Sequence, residues 1–162
     1  MKIALGSDHA GFEYKEAIAA HLKNLGYTVI DFGAYSSLST DYPVFIIPAA
    51  EAVVRGDAKR AIVLGGSGNG EAIASNKVKG IRCALCWSKE TAELSRRHNN
   101  ANVLSMGQRV IPLALALEIV DVWLATPFDG ARHARRIQEL DCYEAGGSHK
   151  DMLAVLDRKT TL

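Results

Sequence analysis

The chain has 162 residues, a formal net charge of +1 and 23% charged residues. That is the length of one domain, enough to bury a full core without disulfide or metal staples, and the near-balance of charge excludes the broad basic surface of a polyanion-binding protein, so no nucleic-acid partner is expected. The opening residues, Met1-Lys-Ile-Ala-Leu-Gly6, enter an apolar strand pattern directly, and neither a signal-peptide pattern nor an apolar run of about 20 residues is seen, so no membrane partner is expected and a cytoplasmic setting is the default.

Lys2 to Gly6 is the first strand and Ser7-Asp-His-Ala-Gly11 the loop that follows it. Tyr14, Ile18, Leu22 and Leu25 then fall on one helical face, closed by Gly26. Tyr27 to Asp31 is the second strand. A serine-containing loop, Phe32 to Asp41, leads into a helix from Tyr42 to Arg55, with Pro43 in its first turn and Pro48 expected to kink it. Arg60 to Lys77 reads as strand, glycine loop and helix. Ile81 to Cys86 is a fourth strand, and Ser88 is the expected N-cap of a helix from Lys89 to His98 that stops at Asn99-Asn100. Val103 to Met106 is the fifth strand. Pro112 opens a helix, Leu113 to Ala125, that is apolar almost all round, as in a buried helix and here one in a subunit interface. Ala131 to Tyr143 is a basic helix, and beyond Gly146-Gly147 a short helix, Asp151 to Arg158, forms a tail.

Strand and helix alternate five times, which specifies a doubly wound α/β fold: a Rossmann-like, flavodoxin-like five-stranded parallel sheet in three layers, α/β/α. Residues 1–145 read as a single domain and 146–162 as a C-terminal tail. For the strand order 2-1-3-4-5, ligands bind beyond the carboxyl ends of strands one and three, where the order reverses. Ser7-Asp8-His9 is thereby expected to face the loop Gly65 to Gly70.

That loop has glycine at 65, 66, 68 and 70, which lets backbone N–H groups approach an anion closely, with Ser67 at its centre. Glu71 at its rim either favours the helix dipole or does proton chemistry, and the loop alone does not choose between them. The glycines fit neither the dinucleotide pattern GxGxxG, nor the P-loop GxxxxGK[ST], nor the GxSxG nucleophile elbow. A hydrolase triad of Ser67, His98 and Asp8 leaves Glu71 without a role. Of the five histidines, His9 follows a strand end and His98 ends a helix, positions that carry function more often than element interiors, whereas His21 and His149 read as surface. No spacing typical of a zinc site is visible, so no metal is expected. Cys83, Cys86 and Cys142 read as reduced thiols. Cys83-Ala-Leu-Cys86 lies in an apolar strand run where residues three apart face opposite ways, so packing is expected of it. Arg132 and Arg136 share one helix face beside His133, a spacing suited to a phosphate dianion, and Arg109 is a further candidate.

Taken together and in this order, Gly6-Ser-Asp-His-Ala-Gly11, Asp41-Tyr-Pro43, Gly65-Gly-Ser-Gly-Asn-Gly-Glu71, Ala74-Ser-Asn-Lys77, Arg97-His-Asn-Asn100 and Arg132-His-Ala-Arg-Arg136 carry a resemblance to the ribose-5-phosphate isomerase B family, which also holds galactose-6-phosphate isomerase subunits. The resemblance implies cofactor-independent interconversion of ribose 5-phosphate and ribulose 5-phosphate through a cis-enediolate. It implies Glu71 as the base and Ser67, with the amides from Gly66 through Gly68 and Asn69 to Gly70, around the enediolate. Asp8 and His98 would manage ring opening, Asn99 and Tyr42 would position the sugar, and His9, Arg109, Arg132, His133 and Arg136 would hold the phosphate. It further implies a homodimer, or a tetramer, with sites shared between subunits. Some members use a cysteine base at the end of strand three, where this chain has Gly65, so it resembles the glutamate-base branch. A hexose 6-phosphate isomerase of allose or galactose type, or a non-catalytic sugar-phosphate-binding module, is the alternative.

Overall fold

Five short apolar runs pair as the strands of one parallel sheet: β1 (Lys2–Ser7), β2 (Thr28–Asp31), β3 (Arg60–Gly65), β4 (Cys83–Leu85) and β5 (Val103–Gly107). Between and after them lie α1 (Phe12–Asn24), α2 (Pro43–Val54), α3 (Asn69–Ser75), α4 (Lys89–Asn99), α5 (Leu113–Ala125), α6 (Arg132–Glu144) and α7 (His149–Asp157). This computed structural model describes residues 1–157. The expected tail helix starts two residues earlier than the sequence suggests, and Arg158 lies outside the described residues. Pro48 lies within α2 without ending it. No described helix is long and apolar enough to cross a membrane.

The strand order is β2-β1-β3-β5-β4, which corrects the expected 2-1-3-4-5 at its last two places. Burial explains the exchange. All five residues of β5 are buried, whereas the three of β4 are only half buried, so the longer, fully buried strand takes the interior and the short one the edge. The reversal between β1 and β3 is untouched: β1 pairs with β2 on one side and with β3 on the other, Ser7 standing in register with Leu64.

Alternation along the strands divides the core between the two faces of the sheet. Ile3, Leu5, Ile62, Leu64, Leu104 and Met106 meet Ile18 and Leu22 of α1, Ala92 of α4 and Ile119, Val120 and Trp123 of α5. Ala4, Ala61, Val63 and Val103 meet Ile46, Ala49 and Ala50 of α2 and Ala74 of α3. The sheet thus accounts for the buried stripe of α5, while Leu113 stays exposed. Trp123 is fully buried, and truncating it to Ala would cost roughly 3–5 kcal/mol. α5 has no basic residue in its last turn, and Arg60 supplies one from β3, donating to the carbonyls of Trp123 and Leu124 at 3.0 Å each. Ser88 caps α4 as expected: its Oγ accepts the Thr91 N–H at 3.1 Å while Thr91 Oγ1 accepts the Ser88 N–H at 3.2 Å.

Candidate active site

At the carboxyl end of β1 the chain turns sharply into α1. Asp8 Oδ1 accepts the N–H groups of Ala10 and Gly11 at 2.9 and 3.0 Å, and the Asp8 N–H donates to the carbonyl of Leu64 at 3.2 Å. The turn therefore lies against the end of β3. A Cβ at Gly11 would overlap the Leu64 carbonyl and the Gly65 amide, so this approach requires glycine. His9 follows, with Nδ1 3.1 Å from the carbonyl oxygen and 3.2 Å from the amide nitrogen of Thr40, and 3.9 Å from Asp8 Oδ2. Nδ1 serves one Thr40 partner at a time, and Nε2 makes no hydrogen bond among the described residues.

At the end of β3, Glu71 in the first turn of α3 folds back over Gly65, whose Cβ, if it had one, would overlap the Glu71 carboxylate. The intervening Gly68 takes a left-handed conformation, φ +80°, and a Cβ there would stand 2.9 Å from the Met106 carbonyl carbon. Ser105 Oγ donates to the Gly68 carbonyl at 2.7 Å and holds the loop to β5. Ser67 Oγ accepts from the backbone N–H and the side-chain amide of Asn69 at 3.3 and 3.2 Å, which leaves its own proton to donate. The N–H groups of Ser67 and Gly70 make no hydrogen bond among the described residues. Tyr42 lays its ring over Gly70, and Arg109 lays its side chain over Gly66.

These pieces enclose a cleft of about 420 Å³ lined by Asp8, His9, Ala10, Tyr42, Gly66, Ser67, Gly70, Glu71, Arg109 and Val110. Glu71 is 4% exposed. Burial, and behind it the negative charge of Asp8, push its carboxyl above the ordinary range, while its own N–H and that of Gly68 pull the other way. The result is a carboxylate more basic than usual beside a hydroxyl and two free amides.

The remaining expected residues gather elsewhere. At the end of α4 and the start of α6, the rings of His98 and His133 stack with centroids 4.3 Å apart and planes 6° apart. Arg97 Nε lies 3.2 Å from both carboxylate oxygens of Asp129, and the Asp129 N–H donates to the Arg97 carbonyl at 3.0 Å. His133 is buried, and burial followed by the charges of His98, Arg132 and Arg136 lowers its pKa, favouring the neutral ring. Arg136 Nη1 is 3.5 Å from His133 Nδ1. Arg109, Arg132 and Arg136 form no ion pair among the described residues. His98, Asn99, Arg132, His133 and Arg136 do not line the cleft that holds Glu71, and neither do Gly68 and Asn69, which act on it through the loop: Asn69 bonds to Ser67 and Gly68 to Ser105. Asn99 instead borders a second groove, of about 540 Å³, beside β4.

Sequence reasoning missed Ala10 and Val110, small neighbours of recognised residues, and Asp129, whose pairing with Arg97 spans 32 positions. It also missed that His98, Asp129 and His133 bring potential metal-ligating atoms within 4.8 Å of one another. Parallel stacked rings, however, point their in-plane lone pairs past each other, and Arg97 occupies Asp129, so this set is poorly shaped to share one ion. Cys83 and Cys86 are free thiols on opposite faces of the sheet, as their spacing implied, and burial pushes Cys83 up to about 12 and raises Cys86 as well.

A model of the family described as Ribose/Galactose Isomerase matches residues 3–140. Ribose-5-phosphate isomerase B of Mycolicibacterium paratuberculosis is 54% identical over 146 residues, covering 89% of this chain and 92% of that protein. The solved ribose-5-phosphate isomerase B of Clostridium thermocellum is similar at a TM-score of 0.89 and 50% identity, over 90% of this chain and 99% of that one. That of Mycoplasma genitalium, solved with bound ribulose 5-phosphate, is similar at a TM-score of 0.85 and 40% identity, over 89% of this chain and 96% of that one.

Proposed function

The chain belongs to the ribose/galactose isomerase family, and from that premise we propose how its residues divide the work. The protein is an aldose–ketose isomerase that interconverts ribose 5-phosphate and ribulose 5-phosphate. The observation that carries the assignment of its base is the buried Glu71 carboxylate folded over Gly65, at the end of β3, in the space a side chain at that position would fill.

Glu71 takes the proton from one of the two adjacent carbons and returns it to the other. Its raised pKa suits both steps, because a base must also be an adequate acid once it is protonated. Ser67 Oγ and the free N–H groups of Ser67 and Gly70 stabilise the enediolate oxygen that appears between them. A general base contributes typically about 10²–10⁴-fold, so these donors carry a comparable share of the acceleration. Asp8, with Oδ1 fixed by two amides and Oδ2 toward His9, exchanges protons with the ring oxygen during ring opening. Tyr42 flanks the sugar, and His9 and Arg109 hold one side of the phosphate.

His98, Asn99, Arg132 and Arg136 complete the site from a second copy of the chain. This reading is supported by their absence from the walls of the cleft in their own chain and by the two exposed arginines without carboxylate partners. His133 supports the set from behind, its buried ring stacked on His98 and beside Arg136. Residues 1–145 form the isomerase domain, and three free thiols fit a cytoplasmic setting.

Incubation of the protein with ribose 5-phosphate is expected to yield ribulose 5-phosphate, with a higher specificity constant than for allose 6-phosphate. No turnover of the pentose overturns the activity. Glu71→Gln is expected to lose about 10²–10⁴-fold in kcat while still binding the sugar phosphate, and a fully active variant removes Glu71 from its role.

A further inference from the structure

Lys15 is fully buried, on the first turns of α1, and has no part in the chemistry above. Its ammonium sits between the carboxylates of Asp31 and Glu16, the latter at 2.7 Å, and under the rings of Phe12 and Tyr35 at 5.5 and 5.8 Å from their centroids. A lysine is almost never wholly buried unless it is paired. Here the partner, Asp31, is the last residue of β2, where the chain leaves the sheet for the loop of residues 33–41.

Asp31 uses its two oxygens differently. Oδ2 meets Lys15, while Oδ1 accepts the Gly33 N–H at 2.8 Å. Gly33 and Ala34 then bond to Ser7: the Gly33 carbonyl accepts the Ser7 N–H at 2.6 Å, and the Ala34 N–H donates to the Ser7 carbonyl at 2.8 Å. Further along the same loop, Thr40 meets His9 Nδ1 through its backbone. The loop therefore grips the residue before Asp8 and the residue after it. Lys15 itself stands in the first turns of α1, the helix that follows directly from the turn Asp8 organises, so its ammonium ties that helix to the end of β2.

We propose that Lys15 is a positioning residue for the isomerase reaction, holding through Asp31 the loop that sets Asp8 and His9 at the cleft. It touches no substrate. Its effect is on where two substrate-facing side chains stand, and not on Glu71 or the glycine loop, which β3 and β5 hold independently. The inference rests on the isomerase reading of the cleft and deepens it.

The test compares wild type with Lys15→Met, which keeps the length and removes the charge. KM for ribose 5-phosphate is expected to rise about tenfold through the displaced His9, and kcat to fall by no more than about tenfold, the share that Asp8 carries in ring opening, since Glu71 itself is not disturbed. Asp31→Asn, whose side chain is 31% exposed and still able to accept the Gly33 N–H, approaches the same contact without a buried change and is expected to raise KM in the same direction. The double variant is expected to be no worse than Lys15→Met alone, because both remove one interaction. An unchanged KM in either folded variant, or losses that simply multiply, overturns the proposal. Calorimetric binding of ribose 5-phosphate to Glu71→Gln, with and without Lys15→Met, separates this result from the activity itself: about tenfold weaker binding in the double variant upholds the positioning role even where turnover is absent, and equal binding sinks it.

Discussion

The two groups of side chains proposed to act are held in contrasting ways. The Glu71 group sits where the sheet order reverses, and its acidic and hydroxyl members lie against backbone: Asp8 accepts from two amides, Glu71 fills the empty side of Gly65, and Ser67 accepts from the Asn69 N–H. The His98 group sits at helix ends, fixed by side chains on one another, with Arg132 and Arg136 exposed and free of carboxylates. The first is already a cleft around a carboxylate of raised pKa, whereas the second presents two exposed arginines beside a stacked, partly buried histidine pair. A base has to be desolvated before substrate arrives, but guanidinium groups that meet a phosphate dianion gain most by waiting in water until they are covered.

The largest expected effect is in a complementation experiment. Glu71→Gln and His98→Ala chains, each close to inactive alone, are unfolded together in equal amounts and refolded. In a homodimer assembled at random, half of the pairs are mixed, each with one intact site, so about a quarter of wild-type activity returns if the chain dimerises and the two groups meet across subunits. A mixture that stays inactive shows that both groups act within one chain, and the division between them disappears.

A smaller effect sharpens the account of the first group alone. Gly65→Ala inserts a methyl group where the Glu71 carboxylate lies, so the base must swing away from the end of β3. The expected loss in kcat is about 10²-fold with KM little changed, because the residues proposed to hold the phosphate are not displaced. Full activity in Gly65→Ala would show that the carboxylate works from a different place.

The first group was legible in the sequence because its parts are local: a glycine loop after an apolar run, a GSDHAG turn after another, and a topology that must bring them together. The end of α5 at Ala125 and the cap at Ser88 were legible for the same reason. The order of β4 and β5 was not, since two parallel strands can exchange places without altering any local pattern; the full burial of Val103–Gly107 and the half burial of Cys83–Leu85 are seen in the structure alone. His98 could be named from a motif but not placed, because its neighbours Asp129 and His133 come from a loop and helix more than thirty residues on. Lys15 was invisible: one lysine on an amphipathic helix reads as solvated surface, and its burial follows from a partner on another strand.

The smallest effect concerns stability, and its sign opposes the effect on activity. Burial raises the pKa of Glu71 in the folded protein, so between the ordinary glutamate value of about 4.3 and that raised value the folded state binds more protons than the unfolded one. Stability from this group is then fully present at low pH and is lost as pH rises through the folded pKa. At neutral pH the ionised carboxylate therefore costs stability that an amide of the same shape does not. Glu71→Gln is expected to melt higher than wild type at neutral pH, by a few degrees at most, with the gap closing as the pH is lowered through the folded value. The wild-type rate should fall over that same interval, because the proton that relieves the buried charge also removes the base. Melting curves and kcat/KM measured across one pH series test both halves at once. A variant that melts lower than wild type at neutral pH would mean that the hydrogen bonds from Gly68 and from Glu71 itself outweigh desolvation, and that the site holds its base at no cost to the fold.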